Sequence, residues 1–134
     1  MTSEMNLKLK KNNKKYWEFI RQLRSDKRIQ SGFIEKVTIT KKEQEAYMNK
    51  YEDNYYICLC DGSPCGFIGE IDGDIRLCTV PEFQGKGVGS FMIREITRIR
   101  PNVFAKIKID NKSSLKAFEK AGYVKKYYLL EPGK

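Results

Sequence analysis

Three glycines at alternate positions, Gly85, Gly87 and Gly89, lie between an apolar run that ends at Val80 and an amphipathic pattern that begins at Val88. Glycine lets the backbone turn sharply and lets a large ligand approach the main chain without meeting a Cβ atom. The first N–H groups of a helix have no acceptor within it and lie at the positive end of its dipole. A strand, a glycine loop and a helix start in this order therefore predict a phosphate-binding site.

Two well-known phosphate loops do not fit this spacing. A P-loop has four residues between its first glycine and a Gly-Lys-Ser/Thr sequence, whereas Gly85-Lys86 is followed by Gly87. The dinucleotide-binding fingerprint needs Gly-x-Gly-x-x-Gly and a later acidic residue on a second strand. The sequence has neither, so the loop belongs to another class.

The stretch from residue 80 to 90 reads Val-Pro-Glu-Phe-Gln-Gly-Lys-Gly-Val-Gly-Ser. It resembles the acyl-CoA-binding motif of the GNAT superfamily of N-acetyltransferases, Val-Pro-x-x-Gln-Gly-x-Gly-x-Gly. In that family the loop amides and the helix start hold the pyrophosphate of coenzyme A. The resemblance assigns cofactor binding to Val80, Gln84, Gly85, Lys86, Gly87, Val88, Gly89 and Ser90, with Ser90 as an added donor.

A second stretch, with Asn111, Ser114, Phe118, Gly122 and Tyr123, resembles the later GNAT motif Asn-x-x-Ser/Ala-x-x-x-Tyr-x-x-x-Gly-Phe/Tyr. The resemblance implies that Asn111 and Ser114 lie near the pantetheine arm and the phosphates and that Phe118 is also a cofactor-binding residue, while Asn111 can cap a helix as well. Phe118 stands where the family often has a tyrosine that protonates the departing thiolate. Phenylalanine has no proton to give, so the general acid is left open.

Acetyl transfer to an amine requires donors for the oxyanion and an acceptor for the ammonium proton. The resemblance implies that the strand before the loop supplies the donors, here the backbone at Cys78 and Val80. Asp74 is the candidate proton acceptor, because it alternates with Arg76 and Cys78 on one face of that strand. Glu70 on the preceding strand is the rival. Both carboxylates are equally consistent with solvated hairpin charges.

Hydrophobic periodicity and turn residues predict the elements that position these groups. Thr40 and Glu43 form a capping box, and Asp72-Gly73 indicates a two-residue hairpin. Strands are expected at residues 6–10, 55–60, 65–71, 74–80, 103–109 and 124–130, and helices at 14–24, 41–51, 87–99 and from Asn111 to Gly122. These elements predict an α/β fold with a single mixed, mainly antiparallel sheet flanked by helices, the GNAT-like acyl-CoA N-acyltransferase fold, in one domain over residues 1–134.

The composition narrows the classes of partner. The formal net charge of +9 favours small polyanions such as coenzyme A. The lysines are scattered, and the N-terminal cluster is interpreted as a solvated face, so nucleic acid is not the expected partner. Four cysteines without any histidine favour buried thiols over a metal site. No apolar run is long enough to span a membrane, and a cytoplasmic location is expected.

The sequence thus predicts an N-acetyltransferase that uses acetyl-CoA and acts on a primary amine by direct attack on the thioester. The amine could belong to a small amine, an amino sugar or a protein. The alternative is a catalytically weak acyl-CoA-binding sensor or partner module, which Phe118 favours. Residues 25–51 would carry the acceptor side, and their pattern does not name the acceptor. Exposed strand edges in so short a chain also predict a homodimer.

Overall fold

The computed structural model describes residues 5–30 and 38–133 of the 134-residue chain. Its sheet is antiparallel and has four strands in the order β1-β2-β3-β4. The strands are β1 (Leu7–Lys11), β2 (Tyr55–Cys60), β3 (Ser63–Ile71) and β4 (Asp74–Thr79). The helices are α1 (Trp17–Arg24), α2 (Lys27–Gln30), α3 (Lys41–Tyr51), α4 (Val88–Ile99) and α5 (Lys112–Lys120). Short 3-10 turns lie at Lys14–Tyr16, Glu52–Asn54 and Pro81–Phe83.

Local sequence signals account for several of these boundaries. The side chain of Thr40 accepts from the Glu43 N–H, and Glu43 bonds back to the Thr40 N–H, which is the predicted capping box at the start of α3. Asp72 and Gly73 both have positive φ angles, 52° and 87°, as the tight turn between β3 and β4 requires. The predicted bounds of α3 and β2 match the structure.

The two faces of the sheet pack against different helices. Tyr55, Ile57 and Phe67 face α1 and α3 and form one buried cluster with them. Ile68 and Ile75 face α4 and α5 and belong to a second cluster. This division follows from the strand period of two, which sends successive side chains to opposite faces. The cleft described below lies where β4 borders both clusters.

Two predicted strands are wrong. Residues 103–109 form only an isolated parallel bridge, between Asp74 and Phe104, and residues 124–130 have no strand structure. The side chains of residues 103–107 still alternate between partly buried and exposed, as predicted. An alternation of apolar and polar residues indicates which side chains are buried. It does not show whether the backbone hydrogen-bonds to a neighbouring strand. Because residues 105–109 separate from β4, they also offer no ladder to residues 124–130.

The four cysteines, Cys58, Cys60, Cys65 and Cys78, are all free and buried. Over residues 5–30 and 38–133, no group of three or more histidine, cysteine or carboxylate side chains could hold a metal ion. In the same residues, no helix combines the length and the apolar character needed to cross a membrane.

Candidate active site

A single cavity of about 960 Å³ collects most of the predicted site residues. Its lining includes Gln84, Gly85, Gly87, Val88, Gly89, Ser90, Asn111, Ser114 and Phe118, together with Asp74 and Cys78. Val80, Lys86 and Glu70 are not part of this lining. We call the part formed by residues 84–90 and α5 the cofactor end. The part formed by Arg24, Arg28, Tyr55 and Arg76 is the acceptor end.

The glycine loop delivers the chain to the start of α4. Gly85 and Gly87 have φ angles of 76° and 85°, a backbone region that residues other than glycine rarely adopt. The Gln84 side chain donates to the Thr79 carbonyl oxygen at 3.3 Å and ties the loop to β4. The first helical bond of α4 runs from the Phe91 N–H to the Gly87 carbonyl. The preceding N–H groups, at residues 88–90, therefore have no acceptor within the helix and can receive an anion.

Ser90 differs from its predicted role as an added side-chain donor. It is buried, and its hydroxyl donates to the Gly87 carbonyl oxygen at 3.2 Å. The hydroxyl proton thus braces the first turn of α4, and only the Ser90 N–H is left for a ligand. Serine hydroxyls often bond to nearby backbone groups in this way, which the sequence pattern does not distinguish from ligand binding.

Helix α5 forms the wall opposite the loop. The Asn111 side chain accepts from the Ser114 N–H at 3.1 Å, so it caps α5 as predicted. A Cβ atom built on Gly89 would lie 3.5 Å from the Ala117 Cβ, which shows how closely α4 and α5 pack. Basic residues dominate this side of the cavity: Lys112, Lys116 and Lys120 of α5 line it, as do Lys106 and Lys108 before the helix. Their charges suit a ligand with several phosphates.

The edge of β4 opens toward the cavity. The Ile75 N–H donates to the Phe104 carbonyl at 2.9 Å, but the chain then leaves β4. Amides alternate in direction along a strand, so the Leu77 and Thr79 N–H groups point the same way as that of Ile75. They face the opened edge. The Val80 N–H instead donates to the Cys65 carbonyl at 2.9 Å.

That bond corrects the predicted oxyanion donors. Val80 is occupied within the sheet, and Cys78, two residues earlier, directs its N–H to the same side, opposite Phe67 in β3. The resemblance points to β4 as the strand that supplies the donors. The sequence does not show which of its alternate N–H groups bond to β3 and which face away from it. The outward-facing amides belong to Leu77 and Thr79.

The two candidate carboxylates lie in different surroundings. Glu70 is buried, accepts from the Gly73 N–H at 2.7 Å and pairs with Arg100. It thereby joins the β3–β4 turn to the end of α4, and it is not a cavity residue. These surroundings argue against the rival assignment of Glu70 as the base, which stays a prediction. Asp74 does line the cavity, with the Lys106 ammonium 3.9 Å from its carboxylate.

Other groups that could react are held neutral. Burial raises the pKa of the Cys78 thiol to about 12, so the thiol is protonated at neutral pH. Burial likewise raises the pKa of the Tyr55 hydroxyl far above its usual range, and this hydroxyl lies 2.7 Å from that of Tyr47. Neither Cys78 nor Tyr55 can serve as an anionic nucleophile here.

Phe118 is buried and packs edge-on against Tyr123, with ring centroids 5.2 Å apart. The Tyr123 hydroxyl is 2.6 Å from that of Thr97 on α4. Tyr127 and Tyr128 are more than 90% exposed. None of these tyrosines lines the cavity, so none takes the place of the tyrosine that Phe118 replaces.

Sequence reasoning missed the arginines of the acceptor end. Arg24 ends α1, Arg28 lies in α2 and Arg76 lies in β4, and all three line the cavity. The residues come from separate elements and share no spacing, so no motif could have revealed them. The acceptor side was predicted at residues 25–51. Of these, residues 31–37 lie outside the described residues.

Comparisons with known proteins agree with this architecture. A family model described as the acetyltransferase (GNAT) domain matches residues 51–125. Spermidine N-acetyltransferase from Vibrio cholerae, solved with CoA and spermine, is similar with a TM-score of 0.77 and 20% identity over 94% of this chain and 85% of that one. An aminoglycoside acetyltransferase bound to coenzyme A and kanamycin is similar with a TM-score of 0.71 and 19% identity, over 90% of this chain and 86% of that one. An N-acetyltransferase from Staphylococcus aureus Mu50 is similar with a TM-score of 0.73 and 18% identity, over 87% of this chain and 82% of that one. Among curated proteins, none matches this sequence.

Proposed function

The chain belongs to the GNAT family of acetyltransferases, and on that premise we propose that it transfers the acetyl group of acetyl-CoA to a primary amine by direct attack on the thioester. The observation that carries the proposal is the meeting of two features in one cavity. The glycine loop presents the start of α4 there, and beside it the edge of β4 presents the N–H groups of Leu77 and Thr79, which point away from β3.

The residues at the cofactor end suit coenzyme A. The N–H groups of Val88, Gly89 and Ser90 are aligned donors at the positive end of a helix dipole, as a pyrophosphate requires. Lys112, Lys116 and Lys120 recur every four residues on α5 and line the same cavity. We assign further phosphate contacts to this lysine row. We assign to Gly85 and Gly87 the turn that leads the chain into α4.

When bound, the thioester supplies an activated acetyl group. The Leu77 and Thr79 N–H groups are our candidates for hydrogen bonds to the acyl oxygen, because both point into the opened edge of β4. Asp74 is the candidate proton acceptor for the amine, directly or through water. The protonated Cys78 thiol argues against an acetyl-cysteine intermediate.

An amine panel with acetyl-CoA tests this proposal. We expect release of the CoA thiol in a one-to-one ratio with acetylated amine, measured by a thiol reagent and by mass spectrometry. Thiol release without acetylated product would indicate simple hydrolysis and contradict the proposal.

A second candidate, a catalytically weak acyl-CoA-binding module, is favoured by the environment of Phe118. No hydroxyl side chain occupies that position, and the neighbouring Tyr123 hydroxyl bonds to Thr97. A thiol with a pKa near 8.5 can nevertheless leave with water as the proton source, so the enzyme is the better account. Tight acetyl-CoA binding with no product from any amine would favour the binding module.

Three further expectations stay predictions: one domain over residues 1–134, a cytoplasmic location and a homodimer. The outer edge of β1 pairs with no other strand of the described residues, which supports pairing between copies. Light scattering after size-exclusion chromatography would give the oligomeric state. A monomer over the micromolar range would contradict the dimer.

A further inference from the structure

The charges that line the cavity are almost all positive. At the acceptor end these are the guanidinium groups of Arg24, Arg28 and Arg76, each from a different element. Among the described residues of the lining, Asp74 is the only carboxylate. The lysine row at the cofactor end is explained by the phosphates of the proposed cofactor, whereas the arginines at the acceptor end are not.

Arg28 and the neighbouring Asp74 already have charged partners. Arg28 pairs with Asp26 at 2.7 Å and with Glu82 at 3.1 Å, and Asp74 lies 3.9 Å from Lys106. Arg76 is exposed and forms no ion pair with any residue that the structure describes. The acceptor end therefore carries at least one cation whose charge is left for a ligand.

Arg24 and Arg76 both line the acceptor end, and each can be placed relative to Tyr55. The Arg24 guanidinium lies 5.4 Å from the centroid of the Tyr47 ring, and the Tyr47 hydroxyl is 2.7 Å from that of Tyr55. Although burial dominates the raised pKa of Tyr55, the positive charges of Arg24 and Arg76 both act to lower it. In the sheet, Tyr55 of β2 lies opposite Gly69 of β3, and Gly69 lies opposite Arg76 of β4, so Tyr55 and Arg76 lie on the same face on either side of a residue without a side chain.

We propose that the acceptor is an amine that also carries a carboxylate or a phosphate, with this anionic group between Arg24 and Arg76 and its nitrogen toward Asp74. The inference rests on the proposed acetyl transfer. Guanidinium groups bind both anions through paired, charge-assisted hydrogen bonds. Asp74 and Arg76 lie two residues apart on one strand face, about 7 Å, so one small zwitterion can reach both.

This charge pattern disfavours polycationic acceptors. Spermine and kanamycin, which the two solved relatives bind, would place extra ammonium groups beside the arginines. Like charges brought together in a partly enclosed site reduce affinity. The same cations also lower the pKa of a bound ammonium, which favours the neutral amine that attacks the thioester.

Matched pairs of acceptors test the inference. Each pair differs by the anionic group alone: glucosamine 6-phosphate against glucosamine, and an amino acid against its amide, with spermidine as a polycation. We expect at least one anionic member to have a kcat/KM at least about tenfold above that of its neutral partner, since charge-assisted hydrogen bonds contribute this much. The pair that responds identifies phosphate or carboxylate. Equal values in both pairs, or a preference for spermidine, would overturn the inference.

Variants then locate the effect. Arg76→Gln should raise the KM for the anionic amine about 10- to 100-fold and leave that for its neutral partner within about twofold. The control, Arg94→Gln, removes an exposed arginine of α4 that does not line the cavity, and it should change neither value. An unchanged KM for the anionic amine in Arg76→Gln would contradict the assignment.

A binding measurement tests the recognition of the anionic group separately from the acetyl transfer on which the inference rests. Calorimetric titration of each acceptor into protein loaded with coenzyme A needs no turnover. If no amine is acetylated but the anionic members bind wild type and not Arg76→Gln, the proposed reaction fails and the recognition stands. If neutral amines are acetylated as well as anionic ones, only the recognition fails. If the anionic members bind neither protein, the recognition is likewise overturned.

Discussion

The cofactor end and the acceptor end of the cavity are built in different ways. At the cofactor end, a glycine loop and the start of α4 offer backbone N–H groups, so the residues matter chiefly through the path of the chain. At the acceptor end, side chains from α1, α2, β2 and β4 converge from positions that are far apart in sequence. A binding site made of backbone N–H groups has a recognisable residue spacing in the sequence, whereas a site made of side chains from distant elements has none. The following predictions separate the two ends.

The largest expected effect concerns Asp74, at the boundary of the two ends. Asp74→Asn should lower kcat/KM about 100-fold at pH 7, because it removes the proposed proton acceptor. The loss should shrink as the pH rises, since more of the amine is then neutral in solution. Steady-state kinetics from pH 6 to 9 would measure this. A loss that does not vary with pH would remove Asp74 from the proton path.

Glu70→Gln is the matched control on the neighbouring strand. It weakens the buried pair with Arg100 and the bond to the Gly73 N–H, so the free energy of unfolding should fall by about 1–3 kcal/mol. The kcat/KM should stay within about threefold of wild type. A change in the pH profile would restore Glu70 as a base.

A second prediction addresses the cofactor end alone. Reversing the lysine row, by Lys112→Glu with Lys116→Glu and Lys120→Glu, should weaken acetyl-CoA binding roughly 10- to 100-fold at low salt and less at high salt. The control is Lys41→Glu with Lys42→Glu and Lys50→Glu on α3, an equal change of charge at exposed sites outside the cavity. Calorimetry at two salt concentrations compares the two triple variants. Equal losses would mean that only net charge matters.

A third prediction addresses the acceptor end alone. A Cβ atom at Gly69 would lie 2.5 Å from Tyr55 Cδ1 and 2.6 Å from the Asn54 carbonyl oxygen. Gly69→Ala should therefore displace the Tyr55 ring, cost about 1–3 kcal/mol of stability and raise the KM for the amine. Acetyl-CoA affinity should change less than about twofold. Gly133→Ala, where a Cβ atom has no neighbour within 4 Å, is the control.

The smallest expected effect on activity is that of Cys78→Ala, which should change kcat by less than about threefold, with no acetylated enzyme in mass spectra of the wild type. Its stability effect depends on pH. An exposed thiol ionises near pH 8.5, whereas burial raises the pKa of folded Cys78 to about 12. The stability from the protonated thiol is complete below pH 8.5 and is lost as the pH rises toward 12. Between these values, wild-type unfolding free energy should fall about 1.4 kcal/mol per pH unit faster than that of Cys78→Ala.

The sequence predicted the elements that local chemistry defines. The capping box at Thr40 sets the start of α3, the Asp72-Gly73 turn sets the β3–β4 hairpin, and the glycines up to Gly87 set the start of α4. Each of these signals works within a few residues. The path of the glycine loop and the start of α4 could therefore be predicted from the sequence, whereas the Ser90 bond to the Gly87 carbonyl and the lysine row of α5 were not.

Features that depend on distant residues could not be predicted. The alternation was correct for residues 103–107, but Ile109, predicted on their buried side, is 99% exposed, and the alternation did not show whether the segment hydrogen-bonds to β4. Glu70 meets Arg100 across 30 positions, and no local pattern distinguishes that brace from a catalytic base. Arg24 and Arg76 line one end of the cavity together with Tyr55 because α1 packs on the sheet, and their spacing in the sequence does not indicate this.

One measurement tests the central claim most directly: calorimetric titration of acetyl-CoA into wild type, Gly87→Glu and Gly62→Glu. Gly62 has a φ of 86°, close to the 85° of Gly87, and a Cβ atom at either site has no neighbour within 4 Å, but only Gly87 lines the cavity. A carboxylate at the start of α4 would repel the pyrophosphate. We predict binding by wild type and Gly62→Glu and a loss of about 100-fold or more in Gly87→Glu. Equal binding by all three, or none by wild type, would contradict a cofactor site at this loop.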